Sequence, residues 1–148
     1  MFLENEMMYN IEFDLSAEEL DVNYTLPIGK AKIERAGSDV TITAHAKMVG
    51  FSLEAAKILK ADHDIDVEVI NLRSIRPLDR PCIIESVKKT NRIVNVEEGW
   101  PQHGVGAEIA ALLMESDAFD YLDAPMERVC GADVPMPYSQ SIERLAVP

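Results

Sequence analysis

Apolar and polar positions alternate between two periods along most of this chain. Val40–Ala44 reads Val, Thr, Ile, Thr, Ala, and Ile65–Leu72 is dominated by Val and Ile, so both predict strands. Ala31–Arg35 predicts a short strand, Ala36–Asp39 a turn and Arg92–Val96 a third long-range strand. Between them the period lengthens. Phe51, Ala55, Ile58 and Leu59 mark one face of a helix ending before His63. Asp79 caps a second helix, with Pro81 in its first turn and Ile83, Ile84 and Val87 toward the core. Lys88 and Lys89 sit at that helix's negative end. Val105, Ile109, Leu112 and Leu113 place a third helix over Val105–Glu115, a strand over Glu127–Cys130 follows, and Ser141–Ala146 begins a last helix. Strands alternating with helices predict right-handed βαβ units in a mostly parallel sheet.

Val94–Ala111 is the stretch around which this pattern turns. It reads as a buried strand, a loop punctuated by Gly99, Pro101, Gly104 and Gly106, and a helix start. Such a loop lies at the carboxyl ends of parallel strands, where ligands and partners dock. It reads either as a docking edge or as a tight strand–helix joint. Residues 1–29 differ from the rest. They hold several acids and no Lys or Arg, and Phe2-Leu3 is suited to closing a strand. They read as a connector whose upstream domain is missing, or as an acidic tail.

The chain has 148 residues with a hydrophobic fraction of 47%, which suits one soluble globular domain. No apolar run is long enough to span a membrane, and the start resembles neither a secretory signal nor a transit peptide. The net charge of −12 argues against nucleic acid and suits a basic protein partner.

Candidate chemistry is sparse. Cys82 and Cys130 form no CxxC and read as two buried thiols, Cys82 near a helix start and Cys130 in a strand. His45, His63 and His103 lack zinc-ligand spacing. Gly104-Val105-Gly106 lacks the third glycine of a dinucleotide loop. Glu97 and Glu98 sit at a strand end and point to opposite faces; a carboxylate there can bond loop amides, or act in acid–base chemistry. Asp123, beside Phe119 and Tyr121, either anchors a partner's Lys or Arg or forms a turn before Ala124-Pro125. Trp100 is expected to pack at a subunit interface, because a large aromatic in a Gly/Pro loop is costly to expose.

Taken together these stretches resemble a known family. They are Phe2–Glu6, Leu26–Ala31, Val69–Asp79, Glu97–Gln102, Gly104–Ile109, Leu122–Pro125 and Gly131–Tyr138. In this order they resemble the carboxyl-terminal part of the β subunit of the pyruvate dehydrogenase first component, among the transketolase-like thiamine diphosphate enzymes. The resemblance implies an α/β fold in three layers: a five-stranded, mostly parallel sheet with one antiparallel strand, helices on both faces. It implies that residues 1–29 end an upstream domain and connect to residues 30–148, a transketolase carboxyl-terminal-like domain truncated at its end. It also implies an α2β2 enzyme that decarboxylates pyruvate and acetylates a lipoyl group, in the mitochondrial matrix or a bacterial cytoplasm.

The implied partners are the pyruvate dehydrogenase α subunit, a second β subunit and the subunit-binding domain of dihydrolipoyl acetyltransferase. Thiamine diphosphate and magnesium belong to the whole enzyme, so no catalytic, cofactor or metal residue is carried onto this segment, which alone is expected to be inactive. Asp123 matches the family's acidic residue at the acetyltransferase docking site, and His103 departs from an aromatic often found there. The alternatives are a non-catalytic acyltransferase-binding module and a branched-chain 2-oxoacid dehydrogenase β subunit.

Overall fold

The computed structural model describes residues 1–148. Strands β1 (Lys32–Arg35), β2 (Val40–Ala44), β3 (Val67–Asn71), β4 (Ile93–Val96) and β5 (Glu127–Val129) alternate with helices α1 (Met48–His63), α2 (Arg80–Thr90), α3 (Val105–Met114) and α4 (Gln140–Ala146). They form one five-stranded sheet in the order β1-β3-β2-β4-β5. Only β1 runs antiparallel, against β3; the other pairs are parallel. The expected three-layer fold with one antiparallel strand is therefore observed.

Strand alternation sorts the sheet's side chains onto two faces. Ile42, Val67 and Val69 pack with Ala56 under α1. Ile70 and Ile93 face the other way and pack with Ile83, Val87, Ile109, Leu112 and Leu113 of α2 and α3. That second face also buries Thr41, Thr43, Glu68 and Asn95. Each is hydrogen-bonded, as a buried polar group must be. Thr41 Oγ1 meets Ser86 Oγ at 2.6 Å and Thr90 Oγ1 at 2.7 Å, and Ser86 donates to Glu68 at 2.5 Å. Lys89 closes this cluster on Glu68.

Asp79 caps α2 as expected, accepting from Cys82 N–H. It does more than cap: its second oxygen accepts the Ala31 N–H at 3.0 Å, tying the approach to β1 to the start of α2. Helices α1 and α2 both stop at a left-handed residue, Asp64 and Asn91. These short polar residues tolerate that conformation best after glycine.

Several expectations are corrected. The buried stripe of α1 is Met48, Val49, Ser52 and Ala56, whereas Phe51 and Ile58 are exposed. Small Ser52 and Ala56 let the helix sit close to the sheet, so the helix turns the larger Phe51 away. One helix covers this face where two cover the other. Its uncovered flank forms, with β4 and β5, an apolar groove of about 510 Å³ lined by Phe51, Ala55, Leu59, Val96 and Val129 and edged by Pro148. Phe2 and Leu3 are exposed and lie outside this sheet. Strand β5 ends at Val129, so Cys130 lies just beyond it, and both thiols are half-buried rather than buried.

Candidate functional site

The carboxyl end of β4 is built around one carboxylate. Glu97 follows the strand and is only 2% exposed. Its two oxygens each accept a backbone N–H at 2.9 Å, one from Val105 and one from Gly106, the first residues of α3. A negative charge at a helix N-terminus satisfies orphan donors and meets the positive end of the dipole. Asn95 Nδ2 donates to the same carboxylate at 3.2 Å and accepts Thr43 Oγ1–H through its own oxygen. The glycines are required by this packing. A Cβ on Gly104 would stand 2.8 Å from both Glu97 oxygens, and one on Gly106 2.5 Å from Asn95 Nδ2. The reading of Glu97 as a loop-bonding carboxylate is the one observed.

Glu98 points elsewhere, as strand alternation requires. It accepts from Lys47 Nζ at 3.2 Å and from Asn5 Nδ2 at 3.1 Å, linking the loop to the entry of α1 and to the amino-terminal segment. The two glutamates thus form no catalytic pair. Cys130 lies 3.8 Å from Glu97. Burial first, and then the neighbouring Glu97 charge, push its thiol up from the ordinary cysteine range. Cys82 is pushed up likewise, by burial and then by Asp79 and Glu68. Neither is an activated nucleophile. The three histidines fall on separate elements: His45 after β2, His63 at the end of α1 and His103 exposed in the loop with φ +59.

Two surfaces lie at opposite ends of the sheet, one at this carboxyl edge and one at the amino ends of β2 and β4, where Asn91 and Arg92 precede the strand. The first holds Trp100, which is 51% exposed and donates its indole N–H to the Val134 carbonyl at 3.0 Å. That bond ties the loop to the carboxyl-terminal stretch, where Val134, Met136, Tyr138, Ile142 and Leu145 also expose apolar side chains. Indole with its polar atom satisfied and its ring half bare suits an interface.

The second surface holds Asp123. It follows a 3-10 turn, Asp117–Tyr121, whose Phe119 and Tyr121 are half exposed. Asp123 is not a free anion. Its carboxylate accepts from Arg92 at 3.0 Å, and its backbone N–H donates to the Asn91 carbonyl at 2.9 Å. Arg92 was not singled out by sequence, since only the fold brings the end of α2 beside a residue 31 positions later. Lys88 completes the patch, 2.5 Å from Asp117 and 5.6 Å from the Tyr121 ring centroid.

Comparison with known proteins gives this geometry a setting. The family described as "Transketolase, C-terminal domain" matches residues 29–148. The chain is 65% identical over 148 residues to the "Pyruvate dehydrogenase E1 component subunit beta, mitochondrial" of Pisum sativum, covering 100% of this chain and 41% of that protein. It is 64% identical to the beta-1 subunit of Oryza sativa subsp. japonica, covering 100% of this chain and 39% of that one. The Saccharomyces cerevisiae subunit is 56% identical, with 100% and 40% covered. A solved structure described as "Split gene transketolase, inactive beta4 tetramer" superposes with a TM-score of 0.67 at 33% identity, covering 76% of this chain and 36% of that one. The chain spans about two fifths of the length of the curated relatives it matches. The sheet order, the lone antiparallel strand and these matches agree: the chain belongs to the transketolase C-terminal domain family.

Proposed function

We propose that this chain is the carboxyl-terminal part of the β subunit of a mitochondrial pyruvate dehydrogenase E1 component, and serves assembly and docking. The observation that carries this is the identity of 55–65% along essentially the whole chain to subunits of that name in plants, yeast and mouse. The assembled enzyme is a thiamine diphosphate-dependent oxidoreductase acting on pyruvate. Its acetyl group passes to lipoyl on dihydrolipoyl acetyltransferase. Residues 1–29 act as the connector from an upstream domain, and residues 30–148 as the family domain. The exposed apolar ring of Trp100, with Val134, Met136 and Tyr138, supports a role in contacts with the α subunit and a second β subunit. The exposed Asp123, flanked by half-bare aromatics, supports docking of the acetyltransferase's subunit-binding domain through a Lys or Arg.

The residues of this segment do not fit the cofactor. The α3 N-terminus, bracketed by Gly104 and Gly106, already gives its amides to Glu97, so a diphosphate would meet a buried negative charge there. This chain's contribution is positional: Glu97 holds the loop that presents Trp100.

The test is a chimera in which residues 1–148 replace the matching part of the pea subunit, co-expressed with its α partner. The expected result is a heterotetramer that decarboxylates pyruvate. A folded chimera that fails to join α, or that joins it and acts only on branched-chain 2-oxoacids, overturns the proposal.

A further inference from the structure

The carboxylate proposed to dock a partner is already occupied. Asp123 Oδ2 and Arg92 Nη2 are 3.0 Å apart, with both side chains about half exposed. The pairing is built into the backbone, because Asp123 N–H is fixed on the carbonyl of Asn91, the residue before Arg92. Arg92 also has somewhere else to go: its Nη1 already contacts the Asp39 carbonyl at 3.4 Å. A guanidinium with a second acceptor can stay on the protein when the carboxylate turns to another cation. The other cation of the patch, Lys88, is committed to Asp117, Glu85 and the Tyr121 ring. Asp120, between the two aromatics in the turn, is exposed and pairs with no cation, so an incoming positive group meets one free anion there but reaches Asp123 itself only by exchange.

We propose that Arg92 is an internal stand-in for the partner's cation: it holds Asp123 in the undocked chain, and docking exchanges one guanidinium for another. This rests on the reading of Asp123 as the docking carboxylate. Arg92 then does two things. It competes for Asp123, and it repels the incoming charge, so it slows encounter and rejects weak cationic partners. The exchange selects chemistry as well. An arginine can take the carboxylate through two parallel N–H donors and so displace Arg92, whereas lysine is a point charge with less geometric advantage. The partner that fits is an arginine-bearing surface with an apolar neighbour for Phe119 and Tyr121.

The experiment uses the assembled enzyme and the isolated subunit-binding domain of the acetyltransferase, titrated at low and moderate salt. The variants are Arg92→Ala, Arg92→Gln, Asp123→Asn and the double variant Arg92→Ala with Asp123→Asn. Because Arg92 is exposed, its replacement leaves the fold intact, and Arg92→Gln retains a donor for the Asp39 carbonyl without the charge. An exposed pair is worth little, so the expected gain for Arg92→Ala and Arg92→Gln is about two- to fivefold tighter binding at low salt. The gain comes from faster association and shrinks at moderate salt. Asp123→Asn weakens binding, and in that background the gain from Arg92→Ala diminishes. If Asp123→Asn weakens binding but neither Arg92 variant tightens it, the exchange is overturned while the docking reading stands. If Asp123→Asn binds as wild type does, the docking reading falls and the exchange with it.

Discussion

Replacing Glu97 by alanine removes an acceptor that two backbone amides and one side-chain amide share in a nearly sealed site. A hydrogen bond to a charged group contributes roughly 1.5–3 kcal/mol, and each buried donor left without a partner carries its own desolvation cost. Two such bonds to the α3 amides give an expected loss of roughly 3–5 kcal/mol, allowing for partial relaxation of the loop. With a slope of ~2 kcal/mol/M, the urea midpoint of the 148-residue chain falls by about 2 M. Glu97→Gln keeps one oxygen but turns an NH2 toward the second N–H, so its loss is smaller, about 1–3 kcal/mol. Glu98→Ala is the control. Glu98 is half-buried and its partners, Lys47 and Asn5, are side chains that can turn to water when it is removed, whereas the α3 amides cannot, so the variant loses only about 1 kcal/mol. The assay is urea denaturation followed by circular dichroism. A Glu97→Ala variant within ~0.5 kcal/mol of wild type, or indistinguishable from Glu98→Ala, refutes the reasoning that the carboxylate holds the loop to α3.

Other outcomes follow from the same structure. Glu68→Ala leaves Ser86, Lys89 and the Gly37 N–H without their shared acceptor and costs about 3–5 kcal/mol, measurable by the same denaturation. Both thiols carry raised pKa values, so each is protonated at neutral pH, and alkylation by iodoacetamide is slower than for a free thiol and accelerates only above the ordinary thiol range; rapid labelling of Cys130 at pH 7 contradicts this. Trp100 is half bare in the isolated chain, so acrylamide quenches it readily; a fully protected emission there contradicts the exposure found. Calorimetry with thiamine diphosphate and magnesium on residues 1–148 gives no micromolar binding, since the one glycine-bracketed helix start is already filled by Glu97.

The elements legible in the sequence are those fixed by local chemistry. Val40–Ala44 has the alternation of a strand and is β2 residue for residue. Asp79 and Pro81 carry the start signal of α2, and Glu97 stands where a strand meets a glycine-bracketed helix, so its bond to loop amides was within reach. What escaped depends on packing between distant residues. Phe51 and Ile58 have the right spacing for a core face, but α1 is apolar on two flanks, and spacing cannot say which one the sheet takes. The Arg92–Asp123 pair spans separate elements and leaves no periodic trace. Residues 1–29 show no helical or alternating period, and in the structure they hold only a 3-10 turn, Glu6–Met8, with most of their apolar side chains exposed.

Hydrogen–deuterium exchange tests the assembly and docking role most directly, comparing residues 1–148 alone with the same residues inside the α-containing heterotetramer. Protection is expected at Trp100–His103 and at Val134–Tyr138, where apolar side chains lie bare in the single chain, with β2 and β3 unchanged. Addition of the subunit-binding domain then extends protection to Phe119–Asp123. Equal exchange in the two states at Trp100 and Val134–Tyr138 contradicts the account, because a domain that joins subunits through this surface must bury it.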